Sequence, residues 1–232
     1  MSKHETAVII SGHMRTFSTC IHTLRWHVLR HCQNLSFYVS TVKDDDAASV
    51  GALHSLFPDA RIHVRIEDEQ PVLPTPDTLS FEPYTNSVPR LAIIRQLWQL
   101  RQAWTLFEQH ATGNELQIIR TRPDLYFHSH VPAFPMGNVA LTPWWGRFGG
   151  VNDRFAILSP AAAQSYFCAF DNVPHLLANG CPFHPESLLR AGLELGEVRI
   201  VDALKTEFST FRKDGNHRPP EISAIDIAHM RG

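Results

Sequence analysis

A chain of 232 residues, 44% hydrophobic and 19% charged, is long enough to bury a full core as one domain and too apolar to be disordered. Its formal net charge of -2 and pI near 6.7 exclude the global basic surplus that holds a nucleic-acid backbone, so any polyanionic ligand must be met by a local cluster. Cys20, Cys32, Cys168 and Cys181 form no C-x-x-C pair and no zinc-type spacing, which fits a reduced compartment better than a disulfide framework.

In chain order, MSKHETAVII passes straight into a strand-like run without an apolar signal segment. No window reaches the roughly 18 apolar residues of a membrane span, so we expect a cytoplasmic protein without a transmembrane segment, peripheral membrane association being left open. TAVIISG is a continuous apolar run closed by Gly12, the pattern of a strand covered on both faces. STCIHTLRWHVLRHC then predicts a helix begun by a Ser or Thr cap. LSFYVSTV (strand), AASVGALHSLF (helix) and RIHVRIED (strand) continue an alternation that predicts a parallel sheet with helices on its faces. Residues 70–89 carry five prolines and little periodicity, and read as a long surface loop or lid. Ile93, Leu97, Leu100, Trp104 and Phe107 recur at spacings of four and three, predicting an amphipathic helix that ends near HATGN, with this stripe as core.

LQII follows as a central strand, with RTRPD at its carboxyl end, where ligands bind in open α/β sheets. Pro123 suits a strand ending because it cannot donate to the ladder. Asp124, unpaired in a protein interior, would cost several kcal/mol, so Arg120, Arg122 or a metal has to stand beside it. FGGVNDRFAILSPAAAQSYF pairs a two-glycine turn, Gly149 and Gly150, with Asn152 and Asp153, then a strand FAIL, then a helix begun by Ser159 and Pro160. HPESLLRAGLELGEVRIVDA is a helix with Glu186 in its first turn, followed by a strand. A carboxylate there serves the helix N-terminus or, if it faces the cleft, acts as a general base.

Across AVIISGHMRTF, IIRTRPDLYF, GGVNDRFAIL and HPESLLRAGLELGEVRIV the chain resembles the GT-A-type nucleotide-sugar glycosyltransferases, in particular small bacterial surface-polysaccharide enzymes. The resemblance implies a single Rossmann-like GT-A domain over residues 1–232, a nucleotide-sugar donor and a glycan acceptor. Gly12 and Arg15 in the first loop, Arg120, Arg122 and Asp124 after the central strand, and Gly149, Gly150 and Asn152 in the glycine turn would bind the donor. Asp124 stands where the second Asp of an Asp-x-Asp motif carries Mg2+ or Mn2+, with Arg122 in place of the first, so metal dependence is expected to be weak. Glu186 stands where a Glu-Asp pair supplies the base, with Ser187 in place of the aspartate, and Asp153 is the alternative base. Arg15, Arg122, Asp124 and Asn152 are expected to line one cleft.

Two other classes stay open. SGHMRTFST is broadly similar to the phosphate-holding loop of sulfotransferases, though without its lysine, and a non-catalytic nucleotide or glycan binder would suit the two missing aspartates. Among secondary features, the HSH tract at 128–130 and His217 are candidate metal ligands. KDDD at 43–46 reads as a solvated turn or an acidic rim at a strand end, and Trp144 and Trp145 either stack on a sugar or pack under their loop.

Overall fold

TAVIIS forms β1 (Glu5–Ser11), buried along nearly its whole length as a strand flanked on both sides and covered on both faces. The computed structural model describes residues 5–44, 46–68, 90–131 and 137–219; the proline-rich loop expected at 70–89 lies outside the described residues. After β1 come α1 (Phe17–Leu24), a single π-helical turn at Arg25–Leu29, β2 (Leu35–Val42), a 3-10 turn at Ala47–Gly51 running into α2 (Ala52–Leu56), and β3 (Arg61–Glu67). Each of the two helices expected here is therefore broken into unlike halves. Thr16 is the N-cap of α1 but makes no side-chain cap; its hydroxyl donates to the Phe211 carbonyl, 3.2 Å away, tying the helix start to the C-terminal part of the chain.

The long helix α3 (Arg90–His110) buries all five residues of the expected stripe, together with Ile94, Gln99, Ala103 and Leu106. β4 (Glu115–Thr121), the short β5 (Leu125–Phe127), β6 (Val139–Pro143) and β7 (Phe155–Leu158) follow. α4 (Pro160–Phe167) is capped by Ser159, whose hydroxyl accepts from Ala162 N, and α5 (Ala169–Ala178) and α6 (Pro185–Leu195) lead to β8 (Arg199–Leu204), β9 (Phe208–Phe211) and β10 (His217–Arg218).

Seven strands build one sheet in the order β3-β2-β1-β4-β7-β6-β8. β1 is parallel to β2 and β4, and β2 to β3, while β7 runs antiparallel to both β4 and β6. The architecture is thus α/β, a mostly parallel sheet flanked by helices, compatible with a Rossmann-like fold. Side-chain alternation sends Val8, Ile10, Phe37, Val39 and Ile119 into one core with α1, and Ala7, Ile9, Tyr38, Ile118 and Ala156 into another with α3, α4 and α6. A small antiparallel sheet, β10-β9-β5, sits beyond the end of β4. Its link to the large sheet is short: Phe211 N donates to the Asp124 carbonyl at 2.8 Å. Among the described residues no helix is long and apolar enough to cross a membrane.

Candidate functional site

A cleft of about 650 Å3 opens at the carboxyl ends of β1 and β4, under the first half of α3 and beside the turn after β9. Four separate segments meet there: Ser11 to Thr16, Leu91 to Gln99 on α3, Arg120 to Asp124, and Phe211 to Lys213. Among the described residues, six cationic side chains line it, Arg15, Arg95, Arg120, Arg122, Arg212 and Lys213, against the single carboxylate of Asp124. The charges of RTRPD thus sit where β4 ends in an open cleft.

Within it, Gly12 has φ +133, a conformation that side chains avoid, and a Cβ there would come 3.2 Å from Pro123, so the loops after β1 and β4 fit closely only with glycine at this position. Arg122 holds Asp124 by two hydrogen bonds, Nε to Oδ1 at 2.9 Å and Nη2 to Oδ2 at 2.8 Å, and Arg212 lies 3.7 Å from the same Oδ2. Burial would raise the Asp124 carboxyl, but the Arg122 charge and hydrogen bonds outweigh it and the pKa is lowered; the Arg122 guanidinium is correspondingly raised. Arg120 is 1% exposed, its Nε has no hydrogen-bond partner, and it donates from its Nη1 to its neighbour's carbonyl, Thr121 O. Burial pushes its guanidinium down to about 10.

Behind the cleft wall lies a second charged group. Asp153 accepts a hydrogen bond from Gln96 Nε2 at 2.6 Å, and Gln96 itself lines the cleft. Arg154 Nε lies 3.6 Å from the other Asp153 oxygen. Glu186, 4% exposed, sits with one oxygen 2.9 Å from His184 Nδ1. Burial first, then the Asp153 carboxylate, push the Glu186 carboxyl up to about 7. The N-terminus of α6 favours an ionised carboxylate, but half a charge at a helix end is outweighed by loss of water and a neighbouring anion. Tyr166, also buried and raised by burial, bridges the two groups, seeing Arg120 and Asp153 and donating to the Asn152 carbonyl at 3.3 Å.

Of the residues singled out from sequence, Gly12, Arg15, Arg120, Arg122 and Asp124 line the cleft, while Gly149, Gly150, Asn152, Asp153 and Glu186 do not. Asn152 is fully buried, and its side chain is consumed by backbone: Nδ2 donates to the Trp145 carbonyl at 2.9 Å, and Oδ1 accepts from Arg154 N and Phe155 N. The expectation that Asn152 lines the cleft is corrected; it shapes the turn that delivers Asp153. Gly149 is a turn residue at φ +78. Gly150 lies against α6, where a Cβ would collide with the Glu186 carbonyl group, and Val151 N donates to Glu186 O at 3.1 Å. The close approach read from the two glycines is therefore made to Glu186 backbone.

A divalent ion on Asp124 does not fit the residues present, because both carboxylate oxygens are taken by Arg122 with Arg212 close by, and no group of three ligating side chains occurs among the described residues. His128 and His217 both turn to Ser209 Oγ, at 2.9 and 2.8 Å, on the small sheet. Trp145 packs: its indole donates to Thr206 O, and its ring lies 4.5 Å from that of Phe208. The acidic turn is a rim, with Asp44 on His13 and Asp46 on Lys213, Asp45 lying outside the described residues. Sequence reasoning missed Arg95, Gln96, Gln99, Arg212 and Lys213; the first three interrupt an apolar helix face, the only available signal. A scan against protein-family models and a search of curated proteins each return no match to this chain.

Proposed function

We propose that the protein is a glycosyltransferase with a single GT-A-like domain, moving a sugar from a nucleoside-diphosphate donor to a glycan acceptor. The observation that carries this reading is the cleft itself: among the described residues, six cations against one carboxylate, at the carboxyl edge of a mostly parallel sheet, in a chain whose net charge is -2. Such a cluster is a local answer to a polyanion, and guanidinium groups fixed in a partly dry cleft compensate the charge that develops on a leaving diphosphate. Arginines replace the divalent ion in this scheme, Asp124 serving to orient Arg122 and Arg212.

In this reading Glu186 takes the acceptor proton. A carboxyl brought up to about 7 is half ionised near neutrality, the condition under which a general base is most effective. Burial and, after it, like-charge repulsion from Asp153 keep that value high, and Gln96 ties Asp153 to the cleft. A cytoplasmic site of action, where nucleotide sugars are available, belongs to the same proposal. One observation favours a second reading, a nucleotide binder without turnover: neither carboxylate lines the cleft.

Calorimetry with uridine and guanosine diphosphate, adenosine 3',5'-bisphosphate and Mn2+ separates the classes. Uridine or guanosine diphosphate binding that is unchanged by Mn2+ is expected; binding of the adenosine bisphosphate alone points to a sulfotransferase-like enzyme. Once the donor is known, Glu186→Gln is expected to lower kcat by roughly two to four orders of magnitude while donor affinity stays the same. Donor binding without turnover in the unaltered protein leaves the binder.

A further inference from the structure

The cations of the cleft are not equivalent. Those nearest Asp124 have their charge answered: Arg122 is chelated by it and Arg212 stands 3.7 Å away, although Arg212 Nε makes no hydrogen bond. On the α3 side the opposite holds. Arg95 Nε, Gln99 Nε2 and Arg120 Nε are all buried N–H donors without a hydrogen-bond partner, and all three residues line the same cleft. Gln99 is 6% and Arg120 1% exposed, so each hides a polar group from water where an unmade hydrogen bond is costly.

Geometry brings them together. Arg95 and Gln99 are four residues apart on α3 and therefore share a face. Arg120 points to the same side of the sheet as Ile118, which packs with α3, because alternate residues of a strand share a face. Donors from helix and strand thus border one cleft, and the group suited to satisfy them is an acceptor-only oxyanion.

We propose that the cleft seats a phosphoryl group between α3 and β4, on Arg95, Gln99 and Arg120, and not over the Arg122–Asp124 pair. The proposal rests on the transferase reading above and deepens it: the seated group is a phosphoryl of the donor diphosphate, and Arg95 and Gln99 are binding residues. Arg122 and Asp124 then form the wall beside the seat.

The test is titration of the full chain with inorganic pyrophosphate and with uridine and guanosine diphosphate, alongside Arg95→Gln, Arg95→Lys, Gln99→Leu and, as a control on the α5-facing side of α3, Arg101→Gln. Arg95→Gln is expected to weaken pyrophosphate binding about tenfold or more, the effect of losing a hydrogen bond to a charged group, and Arg95→Lys to recover part of it. Gln99→Leu is expected to weaken binding about threefold or more while its Tm stays level or rises, since an unpartnered buried amide has been removed. Arg101→Gln, whose guanidinium pairs with Asp171, is expected to bind normally. Should the unaltered protein bind pyrophosphate and Arg95→Gln and Gln99→Leu bind it equally well, the seat is wrong and the transferase reading stands. Should the unaltered protein bind none of the three ligands, the transferase reading itself falls.

Discussion

Glu186 concentrates the chemistry of one residue into a measurable pH dependence. Its folded pKa of about 7 lies above the ordinary carboxyl value of 4.5, so the native state holds its proton more tightly than the unfolded chain. Stability is therefore fullest below the unfolded value and declines as pH rises from 4.5 toward 7, where ionisation leaves a buried anion beside Asp153. The decline is on the order of 3 kcal/mol. Glu186→Gln carries no charge to bury, so urea unfolding at pH 8 is expected to find the variant more stable than the parent, with the difference vanishing near pH 5. An equal difference at both values would show that the carboxyl titrates normally. The sequence placed this glutamate correctly in the first turn of a helix. Its environment was illegible there, because Asp153 reaches it only through the turn whose Gly150 packs on α6.

At the scale of elements, periodicity carried most of the reading. The stripe of α3 was legible because its apolar residues recur on one face, and all five are buried. Gln99 was not, since a glutamine within such a stripe looks like an ordinary boundary residue until the strand beneath is known to present Arg120. The turn before β7 shows the same division. Its glycines announced a close approach, but the partner, the backbone of α6, comes from a distant part of the chain. Gly150→Ala is expected to lower stability by about 3 kcal/mol, because the obstructing atoms are main chain and cannot rotate away; denaturant titration measures it, and a loss under 1 kcal/mol would mean that α6 slides freely on this turn. Ser159 joins two elements, accepting from Ala162 N at the start of α4 and from Val139 N in β6. Its change to Ala is expected to cost about 1 to 2 kcal/mol in the same assay, the upper part of the range for a helix cap.

For the whole molecule, the alternation of strands and helices was legible from composition and period, whereas the small sheet was not. β9 and β10 are four and two residues long, and β9 pairs with β5 across more than eighty positions, a relationship no local pattern records. The cationic cleft in a weakly acidic chain has an ionic signature of its own. Raising salt from 0.05 to 0.5 M is expected to weaken pyrophosphate binding on the order of tenfold through screening, while the urea midpoint moves little because the core is apolar. Salt-independent affinity would remove charge as the basis of recognition. Arg212 and Lys213, one wall of the cleft, follow directly on β9, whose strand partners among the described residues are β5 and β10. Opening of this small sheet would therefore withdraw two of the cations while the seven-stranded sheet stays whole, so that affinity for an anion fails before the fold does.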